Sequence, residues 1–229
     1  MVIISGASKG IGKFLFNSFK NSGYETIGTY NSTSIGIEND LNSYHKVDIS
    51  DYHQVEKWIN EIKLRLKNIT LINCAGINYN SYAHKSDIEI WKNVIFVNLI
   101  GTFNVIRCML PIMRDQHFGR IIVFSSVVAK HPTPGVSSYA ASKAGLIGMT
   151  KSIAIENGIY GITANAINLG YVNLGMGLND VPKIYREKIE QQISLGRFCF
   201  PDEVYKTVKY IMETEYLNGA DIDINGGLF

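Results

Sequence analysis

The sequence predicts an α/β protein: a single domain built on a doubly wound parallel sheet of about seven strands. Three observations carry that expectation. Short apolar runs alternate along the chain with longer segments of helical periodicity. The first apolar run opens directly into a glycine-rich turn and then a helix. No Pro/Ser/Gly-rich linker or run of like charge divides the 229 residues, and at 46% hydrophobic content they are enough for one sizeable core, so one domain over 1–229 is expected.

The elements follow in order. Val2-Ile3-Ile4 starts a strand near 2–5, and Phe14, Leu15 and Phe19 mark a helix near 11–22. Strands are expected near 25–30, 44–47, 69–73, 119–125, 162–167 and 220–224, and helices near 51–67, 87–113, 138–157 and 201–213. Asp51 with Gln54 forms a capping box for the second helix, and Pro201 suits the first turn of the last one. Apolar strands imply a sheet covered on both faces, and right-handed crossovers make the doubly wound topology the economical one. The stretch from Asn31 to Ser43 is rich in turn formers and is expected to be a loop or a single turn.

Composition narrows the function classes. A net charge of +2 without a basic cluster points away from nucleic acid and from an anionic membrane as partners. The first strand starts at Val2 and breaks at Gly6, so neither a signal peptide nor a membrane span is expected, and a cytoplasmic location follows. Cys74, Cys108 and Cys199 lack metal-ligand spacing and read as reduced thiols, and the five histidines form no cluster, so no metal is expected.

Two patterns carry chemistry. Ser5-Gly6-Ala7-Ser8-Lys9-Gly10-Ile11-Gly12 joins the first strand to its helix, and glycines at 6, 10 and 12 let the backbone approach a pyrophosphate at a helix N-terminus. Tyr139 and Lys143 lie four apart, on one face of a helix, so phenol and ammonium share a pocket. A fixed cation there is expected to lower the phenol pKa, and a serine from Ser125-Ser126 at a strand end is placed to hold a substrate oxygen beside it.

Taken together, the chain resembles the short-chain dehydrogenase/reductase family over nearly its whole length. Gly6, Gly10 and Gly12 match the family's glycine motif, Asn73-Cys74-Ala75-Gly76 its Asn-Asn-Ala-Gly, Asn98 its active-site asparagine, and Tyr139 with Lys143 its Tyr-x-x-x-Lys pair. Ser126 fits the family serine, thirteen residues before the tyrosine, better than Ser125. The resemblance implies a Rossmann-like fold with the cofactor at the carboxyl ends of the strands, where Gly6, Asn73, Ser126 and Gly170 fall. It also implies cofactor contacts from Ser8, Lys9, Ile11, Asp48, Ala75, Gly76, Tyr139, Lys143 and Val172. In the implied mechanism hydride passes from the nicotinamide to a carbonyl carbon and Tyr139 protonates the oxygen. Lys143 lowers the phenol pKa and holds the ribose, Ser126 orients the carbonyl, and Asn98 anchors a water.

NADP(H) is preferred over NAD(H). The acidic residue that NAD-using relatives carry after the second strand is replaced by Thr29-Tyr30-Asn31-Ser32, and Lys9 matches the basic residue set against a 2′-phosphate. The overall pattern looks closest to 3-oxoacyl-[acyl-carrier-protein] reductases. Those relatives usually carry arginines where this chain has His117 and Tyr160, which weakens docking of an acidic carrier. A free ketone or a keto-sugar of surface-polysaccharide synthesis therefore stands beside a thioester-linked substrate, and the alcohol-oxidising direction and a non-catalytic NADP(H)-binding sensor or scaffold stay open. Leu174 replaces a threonine that binds near the carboxamide, leaving backbone around Val172 for that role. Residues 171–195 are expected to close over the substrate as a mobile lid. A homo-oligomer, dimer or tetramer, is implied, with Ala140, Ala144, Gly145 and Gly148 permitting close helix approach.

Overall fold

A computed structural model describes residues 1–32, 42–179, 181 and 183–228. Seven strands, β1 (Val2–Ser5), β2 (Thr26–Tyr30), β3 (Tyr44–Lys46), β4 (Thr70–Asn73), β5 (Gly119–Ser126), β6 (Ile162–Leu169) and β7 (Asp221–Ile224), form one sheet in the order β3-β2-β1-β4-β5-β6-β7. Every neighbouring pair is parallel. The helices are α1 (Gly10–Asn21), α2 (Tyr52–Ile62), α3 (Ile88–Ile95), α4 (Gly101–Asp115), α5 (Ser137–Asn157), α6 (Met176–Asn179), α7 (Lys183–Gln192) and α8 (Pro201–Glu213).

The inner strands are largely apolar because alternate residues feed two cores, while the edge strands β3 and β7 are only partly buried. Ile3, Ile27, Leu71, Ile121 and Val123 face Trp58, Ile106 and Leu146 on the side of α2, α4 and α5. Val2, Ile4, Ile72, Ile122 and Ile167 face Phe16, Phe19 and Val204 on the side of α1 and α8. The expected architecture holds, and the strand order reverses between β1 and β4, which opens a crevice at the carboxyl ends.

Local chemistry explains most boundaries. Asp51 accepts from the backbone N–H groups of His53 and Gln54, but the Gln54 side chain bonds Asp51 Oδ2 and the Asp48 N–H, so the return half of the capping box lands three residues upstream. Pro201 opens α8 as expected, and Glu203 accepts from the Phe200 N–H. The helix expected near 87–113 is instead α3, a π turn at Phe96–Ile100, and α4. By length and composition the run Ile88–Asp115 could cross a membrane, against the expectation from sequence; here Val94, Val105, Ile106 and Met109 are buried inside the protein. The loop expected at 31–43 falls mainly on 33–41, outside the described residues. Two helices, α6 and α7, occupy the segment expected to be a lid. The good helix formers from Lys183 to Gln192 were the signal for α7.

Candidate active site

The crevice at the strand ends gathers most of the residues singled out from sequence. Gly6 follows β1 at φ +74°, and a Cβ there would stand 2.6 Å from Ala75 Cα; a Cβ on Gly12 would meet the Gly6 carbonyl oxygen at 2.2 Å. Two glycines thus let α1 sit directly on the end of β1 and β4. Gly10 also takes a positive φ, +54°. The turn is pinned to β2 by Ala7 N–H donating to Thr29 O at 2.8 Å and Gly6 N–H to Thr29 Oγ1 at 3.3 Å. No acidic residue stands in the first turn of α1, and its N-cap, Lys9, supplies no side-chain cap, so the helix N-terminus keeps donors for an anion. This donor set fits a dinucleotide pyrophosphate. Ser8 is buried, Ile11 half-buried and Lys9 exposed at the rim.

Strand alternation sends the two serines of β5 opposite ways. Ser125 Oγ donates to Lys143 O at 2.9 Å and fastens α5 to the strand, while Ser126 hydrogen-bonds the Tyr139 phenol. Lys143 Nζ donates to Phe124 O at 2.7 Å and lies 5.4 Å from the centre of the Tyr139 ring. Ser126, Tyr139 and Lys143 therefore converge in one pocket.

Electrostatics there depart from the expectation that lysine lowers the phenol pKa. Burial pushes Tyr139 up to about 12, opposed by the hydrogen bond from Ser126. Burial likewise pushes Lys143 down to about 8, opposed by the neighbouring Cys74 thiol. Taking both groups out of water favours their neutral forms.

Asn98 sits in the π turn with no exposed surface. Its Oδ1 accepts from Ile77 N–H at 2.8 Å, and its Nδ2 donates to Ile77 O at 2.9 Å and Ser142 Oγ at 3.1 Å. Both amide hydrogens are committed to protein, so this side chain braces the β4 loop against α5, and the extra residue of the π turn is what aims it there. Ser142 and Ile77 escaped the sequence reading. Gly76 lies where a Cβ would crowd Asn98 Oδ1 at 3.3 Å and Lys143 Nζ at 3.7 Å.

The remaining positions ring the crevice. Asn73 closes β4 and accepts from Ser5 Oγ at 3.3 Å, while Ala75 N–H points to the same hydroxyl at 3.5 Å. Asp48 follows β3, its Oδ1 accepting from Ser50 N–H and Oγ at 3.0 and 2.6 Å. Gly170 packs where a Cβ would reach Asn225 Cα at 2.8 Å. Val172 is buried and bridges to Cys199. Gly175, unnoticed in the sequence, rests on the glycine loop: a Cβ on it would lie 2.9 Å from Gly10 Cα. Among the described residues no group of three His, Cys, Asp or Glu is arranged to hold a metal.

Known proteins resemble the chain over its whole length. Residues 1–183 match the family model for short chain dehydrogenases. An acetoacetyl-CoA reductase of Shinella zoogloeoides is 34% identical over 237 residues, covering 100% of this chain and 98% of that protein. A 3-oxoacyl-[acyl-carrier-protein] reductase of Thermotoga maritima is 34% identical, covering 99% and 96%. The crystal structure of a 3-oxoacyl-[acyl-carrier protein] reductase from Brucella melitensis superposes with a TM-score of 0.89 at 28% identity, covering 99% of this chain and 90% of that one. The chain belongs to the short-chain dehydrogenase family and is an oxidoreductase acting on carbonyl and hydroxyl groups.

Proposed function

We propose that the protein reduces the keto group of a 3-oxoacyl thioester with NADPH. The observation that carries this reading is the convergence of Ser126, Tyr139 and Lys143 beside the glycine loop. The nicotinamide, when bound, supplies the hydride. Ser126 orients the carbonyl oxygen toward the phenol, and Tyr139, held neutral by burial, keeps the proton that this oxygen needs. Lys143, whose ammonium is only weakly favoured, is suited to pass a proton to the phenol after turnover and to hold a ribose hydroxyl. Asn98 keeps the loop bearing Gly76 in place and has one lone pair left on Oδ1 for a water.

Preference for NADPH rests on Lys9 exposed at the start of α1 and on exposed Asn31 and Ser32 where an acidic residue would repel a 2′-phosphate. The second oxygen of Asp48 is assigned to the adenine. A coenzyme A thioester is favoured over a carrier-bound one because the docking positions hold His117 and Tyr160 in place of arginines. A free ketone, a keto-sugar and a non-catalytic sensor are the competing readings, and the filled site speaks against the last. The protein is assigned to the cytoplasm.

Tyr139→Phe tests the reading. We expect kcat for acetoacetyl-CoA reduction to fall by roughly 10²–10⁴ while the dissociation constant for NADPH, followed by nucleotide fluorescence, stays within about twofold. Full activity in this variant removes the phenol from the mechanism.

A further inference from the structure

Lys130 lies four residues beyond Ser126, at the end of the single turn Val127–Ala129, with its N–H on Val127 O at 3.1 Å. Its ammonium crosses β6 to the edge strand, 3.0 Å from Asp221 Oδ2 and 2.9 and 3.1 Å from the two oxygens of Asp223. These aspartates alternate along β7 and so share one face. Between them and β5, fully buried Asn168 of β6 donates Nδ2 to both carboxylates. In the sheet register Asn168 pairs with Ser125 on one side and Asp223 on the other.

We propose that Lys130 is a positioning residue for Ser126, fastening the turn after the catalytic serine to the edge of the sheet. This rests on the function proposed above. Lys143 is held independently, through Ser125 and Phe124, to the body of β5, and Tyr139 sits one turn earlier on the same helix. Ser126 ends β5, its backbone in register with Leu169 and its hydroxyl on the Tyr139 phenol; the turn beyond it is joined to that hydroxyl by Val128 N–H at 3.4 Å, a long bond that does not by itself set the turn. Lys130 supplies the missing anchor, and it does so against two carboxylates, so its loss leaves a pair of like charges side by side on an edge strand. The ammonium is about one-third exposed, at 34%, with the carboxylates at 15% and 38%, so the triad is less screened than a surface pair. The consequence is specific: without the anchor the serine hydroxyl drifts relative to the phenol while the phenol stays put.

The test is a double-mutant cycle of Lys130→Met with Ser126→Ala, read as kcat and KM on acetoacetyl-CoA, with NADPH affinity and melting temperature alongside. Lys130→Met is expected to lower kcat about tenfold, since small misplacement of a reacting group costs that order, with KM and NADPH affinity within about twofold. Lys130→Arg, which still reaches both carboxylates, restores kcat to within about threefold of the parent. In the Ser126→Ala background Lys130→Met has no further effect, because the group it positions is gone. An undiminished loss in that background, or unchanged kcat in Lys130→Met, overturns the proposal. If Lys130→Met does not fold, the double variant Asp221→Asn with Asp223→Asn, which removes both charges that hold the ammonium, carries the same cycle with the same criteria. Full activity of Ser126→Ala, by contrast, sinks the reading of the site itself.

Discussion

Lys143 shows at the scale of one residue how function and stability oppose each other. Unfolded, its amine holds a proton up to about pH 10.5; folded, burial lowers that to about 8. Between those values the unfolded chain binds the extra proton, so stability rises with pH through that window and the full cost is present below it. A fall from 10.5 to about 8 corresponds to roughly 3 kcal/mol. Lys143→Met should therefore be inactive yet more stable near neutral pH, by up to that amount less the cost of the unpaired Phe124 carbonyl. The gain should shrink as pH rises toward about 10; denaturant melts across that range check it. At the cleft rim, Lys9→Glu should raise KM for NADPH by about tenfold or more and leave that for NADH nearly unchanged. Equal effects on both cofactors would reject the assignment. Both residues were legible as motif positions. The sign of the pKa shift was not, since it depends on how many atoms from distant segments surround the amine.

At the scale of elements, the seven strands and five long helices were legible because periodicity and turn chemistry are local properties. The π turn at Phe96–Ile100 was not, since its extra residue serves Ile77 and Ser142, which lie far away in sequence. Helices α6 and α7 were absorbed into an expected lid. That segment is tied at both ends, by Cys199 N–H to Tyr171 O at 2.9 Å and Leu195 N–H to Gly226 O at 3.1 Å, and its Gly175 lies against Gly10. Gly175 has φ +58°, so a side chain would be strained there and would also press on the glycine loop. Gly175→Ala is expected to weaken NADPH binding by about threefold to tenfold with a smaller effect on kcat; unchanged affinity would mean the contact plays no part in holding the cofactor.

At the scale of the whole molecule, the outer surface of the α3–α4 run carries Phe96, Ile100 and Phe103 at 53%, 39% and 43% exposure, spaced to form one stripe. Ala144 and Gly148 of α5 are also exposed, and a Cβ on Gly148 would meet nothing within 4 Å. Gly145 does not belong to that face as expected: a Cβ on it would strike Leu99 at 2.9 Å, so its smallness serves packing within the chain. We propose that the stripe pairs with a second copy of the chain. Phe103→Glu should shift the protein to monomer in sedimentation velocity, with little loss of monomer stability because the side chain is already half in water; an unchanged sedimentation coefficient would rule this face out.

The sequence alone determined the layered architecture, the burial of the inner strands on both faces and the positions of the glycine loop, Ser126, Tyr139 and Lys143, because each is written in residues close together along the chain. The tertiary structure decided what those residues experience. Desolvation reversed the expected effect on the phenol, Asn98 became a brace, Gly145 turned inward, and Lys130 found its carboxylates 91 and 93 residues away on the far side of β6. Such effects arise from neighbours brought together only by strand pairing and helix packing, which no local pattern records.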